Sequence, residues 1–106
     1  MQEAKRLPNA EIERRLLSAL CATALDREMR ALILERLSAH TFANRDHEII
    51  FQALAKMPPA TAEHIRETLS ARLTRLGFPD IDVEPIFEFS PPPPDIVAAL
   101  LQQLDR

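Results

Sequence analysis

This sequence contains very little glycine and very little valine. Gly77 is the single glycine and valine is scarce, whereas Leu, Ala, Glu and Arg dominate. A sheet protein needs glycine for its turns and β-branched residues for its strands. We therefore predict an all-α fold. A single glycine also argues against the glycine-rich loops that bind ATP or dinucleotides, because those loops bring several backbone amides close to the phosphates.

The sequence also has only one cysteine, no excess of positive charge and no long apolar run. Cys21 is the single cysteine, so no internal disulfide can form, and its place among leucines predicts a small buried hydrophobe in a reducing cytoplasm. A formal net charge of -3 lacks the positive excess that contact with nucleic-acid phosphates requires. No stretch approaches the roughly 18 apolar residues of a membrane span. We expect a cytoplasmic protein that binds neither nucleic acid directly nor a membrane.

The apolar periodicity of the remaining sequence predicts a single domain, a small bundle of about six helices over residues 1–106. Residues 1–8 form an N-terminal tail, residues 9–79 the main bundle, and residues 80–106 a short helix, a proline spacer and a C-terminal helix. The last one or two helices have a second possible arrangement, an extended hairpin.

Capping residues followed by apolar stripes mark the first three helices, since Asn and Asp side chains accept hydrogen bonds from the first free amides of a helix. The predicted helices run from Asn9 to about Ala24, from Asp26 to near Ala39, and from Asn44 to the stop at Met57-Pro58-Pro59. The acidic residues of the first helix alternate with arginines at pairing distances. Glu11 and Glu13 are therefore expected on a mixed, solvated face.

The later helices are marked by glycine and proline. The fourth opens at Thr61 and closes before Gly77, the predicted left-handed C-cap. Its apolar stripe consists of Ile65, Leu69, Leu73 and Leu76. Residues 80–90 fit either a short helix after Asp82 or an extended segment, and we favour the helix. The prolines from Pro91 to Pro94 are predicted to be an extended spacer, with Pro94 suited to begin the last helix.

No pattern of catalytic or metal-binding residues is present. His40, His47 and His64 are expected in a loop and on two separate helices, without the spacing of a metal-binding set. His47 lies on an apolar face with no paired nucleophile, so we predict a partly buried histidine bonded to the backbone or to a carboxylate. The sequence thus predicts no catalytic residue, no metal and no cofactor.

Two segments of the chain carry a resemblance to a known family. The first is Glu13-Arg14-Arg15-Leu16-Leu17-Ser18-Ala19-Leu20, and the second contains Leu37, Phe42, His47, Ile50-Phe51 and Ala53-Leu54. Together they resemble the E-x-x-L-L-x-x-L and F-x-x-x-x-H-x-x-I-F-x-A-L pattern of the N-terminal domain of DnaB-type replicative helicases. The C-terminal helicase-binding domain of DnaG-type primases is similar. The likeness is best over residues 8–57, and it departs from the family at Ser18-Ala19 and Glu48, where glycine and arginine are usual.

The resemblance implies a non-catalytic docking domain of the DNA replication machinery. Its expected partner is a protein such as primase, replicative helicase or a helicase loader, and a homodimer through the C-terminal helices is a further possibility. The chain is then either an isolated domain of a longer helicase or primase or a free-standing relative. The alternative is a small helical domain that binds nucleic acid or regulates another protein.

Four apolar residues are candidates for the protein interface, because apolar side chains that a small core does not need can lie in a groove of a partner. They are Leu34, Ile49, Val97 and Leu101. Leu34 and Ile49 point away from the apolar faces of their helices, although single exposed apolar residues are also common on ordinary surfaces. Val97 and Leu101 widen the stripe of the last helix, which follows the proline spacer.

Overall fold

Helices account for the regular structure of the chain. The computed structural model describes residues 8–21, 26–57, 62–88 and 92–104, and within these ranges it contains no strand. The helices are α1 (Asn9–Leu20), α2 (Arg27–Ser38), α3 (Arg45–Ala55), α4 (Ala62–Arg75), α5 (Glu84–Phe87) and α6 (Pro94–Leu104). The predicted all-α bundle of about six helices is confirmed. None of these helices is long and apolar enough to cross a membrane.

Helix α1 lies at the centre of the bundle. It packs against α2, α3, α5 and α6, while α4 packs on α3. Its buried apolar side chains are Ile12, Leu16, Leu17, Ala19 and Leu20. Because α5 and α6 each pack on α1, the extended hairpin is not the arrangement that the chain adopts.

The N-caps of α2 and α3 are confirmed. The Asp26 side chain accepts a hydrogen bond from the Met29 amide at 2.8 Å. Asn44 Oδ1 accepts from the amides of Asp46 and His47 at 2.8 and 3.3 Å. Each side chain satisfies amides that have no acceptor within their own helix.

The predicted ends of α1 are wrong. Pro8, with φ −59° and ψ 149°, is the N-cap, and Asn9 is already helical. The Pro8 carbonyl accepts from the amides of Glu11 and Ile12, and α1 begins without a side-chain capping bond from its N-cap residue. At the other end α1 stops at Leu20 rather than near Ala24, and residues 22–25 lie outside the described ranges.

The C-terminus of α4 explains why its stripe is one residue shorter than predicted. Gly77 has φ +99°, as predicted for a left-handed C-cap. The Phe78 amide donates to the Leu73 carbonyl at 2.8 Å and the Gly77 amide donates to Thr74 at 3.1 Å, which is the Schellman arrangement. The helix ends at Arg75, so Leu76 leaves the buried stripe and is 55% exposed. The predicted start at Thr61 lies outside the described residues.

The last two helices follow the prediction more closely. Asp82 Oδ1 accepts from the Glu84 amide at 3.0 Å, at the start of the short α5. Pro94 is the first residue of α6, and the Pro93 carbonyl accepts from the Val97 amide at 2.9 Å. Pro92 and Pro93 have no regular secondary structure, and Pro91 lies outside the described residues.

The different burial of Leu69 and Leu76 allows a matched test of the fold. Leu69→Ala should lower the free energy of unfolding by about 2–5 kcal/mol, because Leu69 is fully buried and its truncation leaves a cavity. Leu76→Ala should change it by less than about 0.5 kcal/mol, because that side chain is mostly in solvent. Urea unfolding followed by circular dichroism measures both. Equal losses for the two variants would contradict this structure of the α4 terminus.

Candidate functional site

Glu13 on α1 is the one charged side chain that is fully buried in the described part of the chain. The prediction that it lies on a solvated face is therefore wrong. The reason is its position: Leu16 and Leu17 follow it by three and four residues, and side chains with that spacing share one helix face. That face is the side of α1 that the bundle covers, so the carboxylate enters the interior with the leucines.

Four hydrogen-bond donors surround the Glu13 carboxylate, three from the loop between α2 and α3 and one from the first turn of α3. Oε2 accepts from His40 Nε2 at 2.6 Å and from the Ala43 amide at 2.7 Å. Oε1 accepts from His47 Nδ1 at 3.1 Å and from the Asn44 amide at 3.3 Å. We call these five residues, Glu13, His40, Ala43, Asn44 and His47, the Glu13 cluster.

The Glu13 cluster satisfies the carboxylate completely. A carboxylate has about four acceptor positions, two on each oxygen, and all four are used here. A buried charge is tolerated in a protein only when it is paired and hydrogen-bonded in this way. With no acceptor position left for a water or a substrate proton, Glu13 functions as an anchor that fixes the α2–α3 segment to α1.

The start of α3 adds to this anchor. Asn44 has two functions, since its backbone amide donates to Glu13 while its side chain caps α3. The carboxylate therefore lies beside the N-terminus of α3, where the helix dipole stabilises negative charge. The same two residues, Glu13 and Asn44, fix both the position of the loop and the direction of the helix that follows it.

Aromatic packing covers the cluster from the loop side. Phe42 contacts the His40 ring edge to face with 5.0 Å between centroids, and it contacts Phe51 of α3 at 5.7 Å. These distances fall in the favourable range for ring pairs. The loop is thus held by hydrogen bonds to Glu13 on one side and by a row of three rings on the other.

The two histidines of the cluster have a structural environment. His47 is partly buried and bonded to a carboxylate, as predicted. His40, in the loop, is bonded to the same carboxylate and its side chain is 9% exposed. His64 lies on α4 beside Thr68, away from the cluster, so the structure brings together two of the three histidines. Within the described residues, no group of three or more His, Cys, Asp or Glu side chains has an arrangement that could hold a metal ion.

A shallow groove of about 360 Å³ lies next to the cluster, where the end of α2, the following loop and the end of α6 meet. Its lining consists of Glu35, Arg36, Ala39, His40, Thr41 and Leu104. His40 belongs both to this lining and to the cluster. The groove and the Glu13 cluster are therefore linked, because the His40 side chain cannot rotate without breaking its hydrogen bond to Glu13.

Arg30 forms a second link between helices. Its guanidinium donates to the Leu20 carbonyl at the end of α1, at 2.9 Å, and to the Met57 carbonyl after α3, at 3.3 Å. Arg30 points inward because carbonyls at and just after the end of a helix have no amide donor within that helix and accept from the guanidinium instead. Arg30 thereby ties α1, α2 and α3 together near Cys21.

Cys21 is buried, as predicted. Burial raises the pKa of its thiol to about 12 from an ordinary value of 9.0, and the nearby Arg30 opposes this shift only in part. The thiolate is the reactive form of cysteine. At neutral pH this side chain therefore behaves as a small apolar group.

The predicted interface residues have two different environments. Val97 and Leu101 are 0% and 2% exposed, so the expectation that they widen a free stripe is wrong: α6 packs on α1 and α2, and the core uses both side chains. Leu34 and Ile49 are partly buried and pack against the core, and their role in an interface stays a prediction. The large apolar side chains exposed in the described residues are Leu76 and Ile96.

The cluster itself was missed by the sequence prediction. A signal for Glu13 was available, since a glutamate placed three and four residues before two buried leucines lies on their face. For His40 no local signal exists, because its contact with Glu13 depends on how α1 packs against the loop 27 residues away.

Comparison with known proteins returns no match, whether with models of protein families, with curated proteins or with solved structures.

Replacing Glu13 tests the anchor. Glu13→Gln should lower the free energy of unfolding by about 3–5 kcal/mol, because its amide group places a donor where an oxygen now accepts two hydrogen bonds. Glu11→Gln removes the same charge from the same helix and should cost less than about 1 kcal/mol. Glu11 forms partly exposed ion pairs with Arg14 and Arg15, and such pairs contribute little to stability because water screens them. Urea unfolding at neutral pH measures the free energy of unfolding of both variants. An equal loss for the two variants would refute the role of Glu13 as an anchor.

The reactivity of Cys21 tests how tightly the ends of α1 and α2 are packed. A shift of the thiol pKa from 9.0 to about 12 lowers the thiolate fraction roughly 1000-fold. Native protein should therefore react with a thiol reagent at least about 100-fold more slowly than protein unfolded in urea. Both rates can be measured with a reagent that releases a coloured product when it reacts with a thiol. Rates within tenfold of each other would show that Cys21 is accessible.

Proposed function

We propose that this chain is a non-catalytic docking domain of the DNA replication machinery that binds primase, replicative helicase or a helicase loader. The observation that carries the proposal is a contact between the two segments that resemble the helicase N-terminal domain. Glu13, the first residue of one pattern, accepts a hydrogen bond from His47, the central polar residue of the other. The two patterns are thus parts of one site.

The apolar positions of the two patterns support the same conclusion. Leu16, Leu17 and Leu20 of the first segment share one buried cluster with Ile50, Phe51, Ala53 and Leu54 of the second. Phe42, which opens the second pattern, packs on Phe51. A pattern whose apolar members belong to one core is a pattern of a fold, and the docking function is then inferred from the family that has this pattern.

Helix α6 offers the contact surface that we assign to this function. Its inner side, with Val97 and Leu101, belongs to the core. Its outer side leaves Ile96 40% exposed, with Ala99 one turn later also in solvent. An exposed large apolar residue on a helix that a core holds rigidly is a suitable anchor for a groove of a partner.

Binding of the chain to purified replication proteins from the same organism tests the proposal. The chain should bind one of three candidates, namely primase, replicative helicase or helicase loader, in isothermal titration calorimetry. Ile96→Asp should weaken this binding at least about tenfold, because it removes an apolar anchor and adds a charge. Gln102→Asp adds the same charge to an exposed position of the same helix and should weaken it less than about threefold.

The two parts of this proposal fail in different ways. If the unmodified chain binds none of the three proteins, the docking function is refuted. If it binds one of them and Ile96→Asp binds equally well, the assignment of the contact to α6 is refuted. Variants of Val97 or Leu101 are unsuitable for this test, because a charge at a fully buried position unfolds the bundle.

A further inference from the structure

The carboxylates of α4 lie in its first half together with Arg66, and two further arginines lie in its last turn. Glu63 and Glu67 are exposed in the first half of the helix, whereas Arg72 and Arg75 lie in the last turn. Such an order suits the dipole of the helix itself. It also makes α4 complementary to a second α4 that runs in the opposite direction. The acidic end of each helix then faces the basic end of the other.

The acidic half borders a groove of about 300 Å³ between α4 and α5. Glu63, Glu67 and Glu84 supply three carboxylates to its lining, and Arg66 supplies the one guanidinium. Both carboxylate oxygens of Glu84 already accept hydrogen bonds from Arg66. The Cζ atom of the Arg66 guanidinium lies 6.0 Å from the centroid of the Phe87 ring. The excess negative charge of the groove therefore belongs to Glu63 and Glu67.

The basic half of α4 contains two arginines in its last turn. Neither Arg72 nor Arg75 forms an ion pair or a side-chain hydrogen bond with any residue of the described ranges. The Nε of Arg72 is in addition buried without an acceptor. Within α4, Glu67 in the first half and Arg75 in the last turn are thus both exposed and form no ion pair with another described residue.

We propose that this face of α4 binds a second copy of the chain, with the two α4 helices antiparallel about a two-fold axis at Ala71. Glu67 and Arg75 lie four residues before and four residues after Ala71, about 6 Å along the helix in each direction. Positions four residues apart stay on nearly one face. In the antiparallel pair Glu67 of each copy therefore lies opposite Arg75 of the other.

The residue at the axis fits this arrangement. Ala71 is exposed and has the smallest side chain that a good helix former offers. A small residue at the crossing point allows two helix axes to approach to about 8 Å, at which distance the flanking glutamate and arginine can reach each other. A two-fold axis then produces two identical ion pairs from one pair of residues. The proposal is independent of the docking function, which uses α6.

Charge-exchange variants test the dimer in analytical ultracentrifugation over a concentration series at low salt. The unmodified chain should dimerise, and added salt should weaken the dimer by screening the ion pairs. Glu67→Arg and Arg75→Glu should each weaken self-association at least about tenfold, because each places like charges opposite one another. An equimolar mixture of these two variants should form a heterodimer, since both facing pairs are then of opposite charge.

Two exposed residues of α2 provide the matched control. Glu28→Arg and Arg27→Glu make the same changes of net charge away from α4. Each should self-associate like the unmodified chain, and their mixture should show no preference for the heterodimer. Helix content by circular dichroism should be the same for all variants, because every substituted side chain is exposed.

Three outcomes would overturn the proposal. One is an unmodified chain that stays monomeric at every concentration, which would leave the charges of α4 with the helix dipole alone. Another is a dimer that neither α4 variant weakens, which would place the second copy on another face. The third is a mixture of the α4 variants that does not form heterodimers, which would exclude the pairing of Glu67 with Arg75.

Discussion

A carboxylate in a protein interior is stable only if its oxygens are fully bonded, and in this molecule that constraint falls on Glu13. All four of its donors come from one short stretch of chain, residues 40–47. The loop between α2 and α3 is consequently defined by a residue of α1 rather than by its own sequence. Because α3 begins in that loop, the placement of α3, and of α4 packed on it, follows from the same interaction.

The apolar core has to be compatible with this buried charge. Leu16 and Leu17 stand one turn from Glu13 and belong to the same buried cluster as Ile50 and Phe51 of α3. Hydrophobic contact alone is non-directional and permits α3 to rotate or slide. Hydrogen bonds with defined donors restrict it to one register, so the cluster supplies specificity while the surrounding leucines supply most of the free energy.

Local signals explain what the sequence predicted. The caps at Asp26 and Asn44, the left-handed Gly77 and the start of α6 at Pro94 depend on backbone chemistry within a few residues. These predictions are confirmed for that reason. The environments of Glu13, Arg30 and Val97 depend instead on which helices meet, and periodicity within one helix does not determine that. The sequence therefore predicted the helices well and the candidate site poorly, since the site is made of contacts between distant segments.

The Schellman turn satisfies the end of α4 within a few residues, but the Glu13 bonds span 27 to 34 residues of chain. A loop held in this way cannot open without exposing a charge and four donors at once. Opening the loop is then coupled to separating α1 from α3, and we expect the amides of the three elements to exchange as one cooperative unit. The groove beside His40 is therefore a rigid surface, although it is built largely from a loop, and any molecule that binds there meets a preorganised shape.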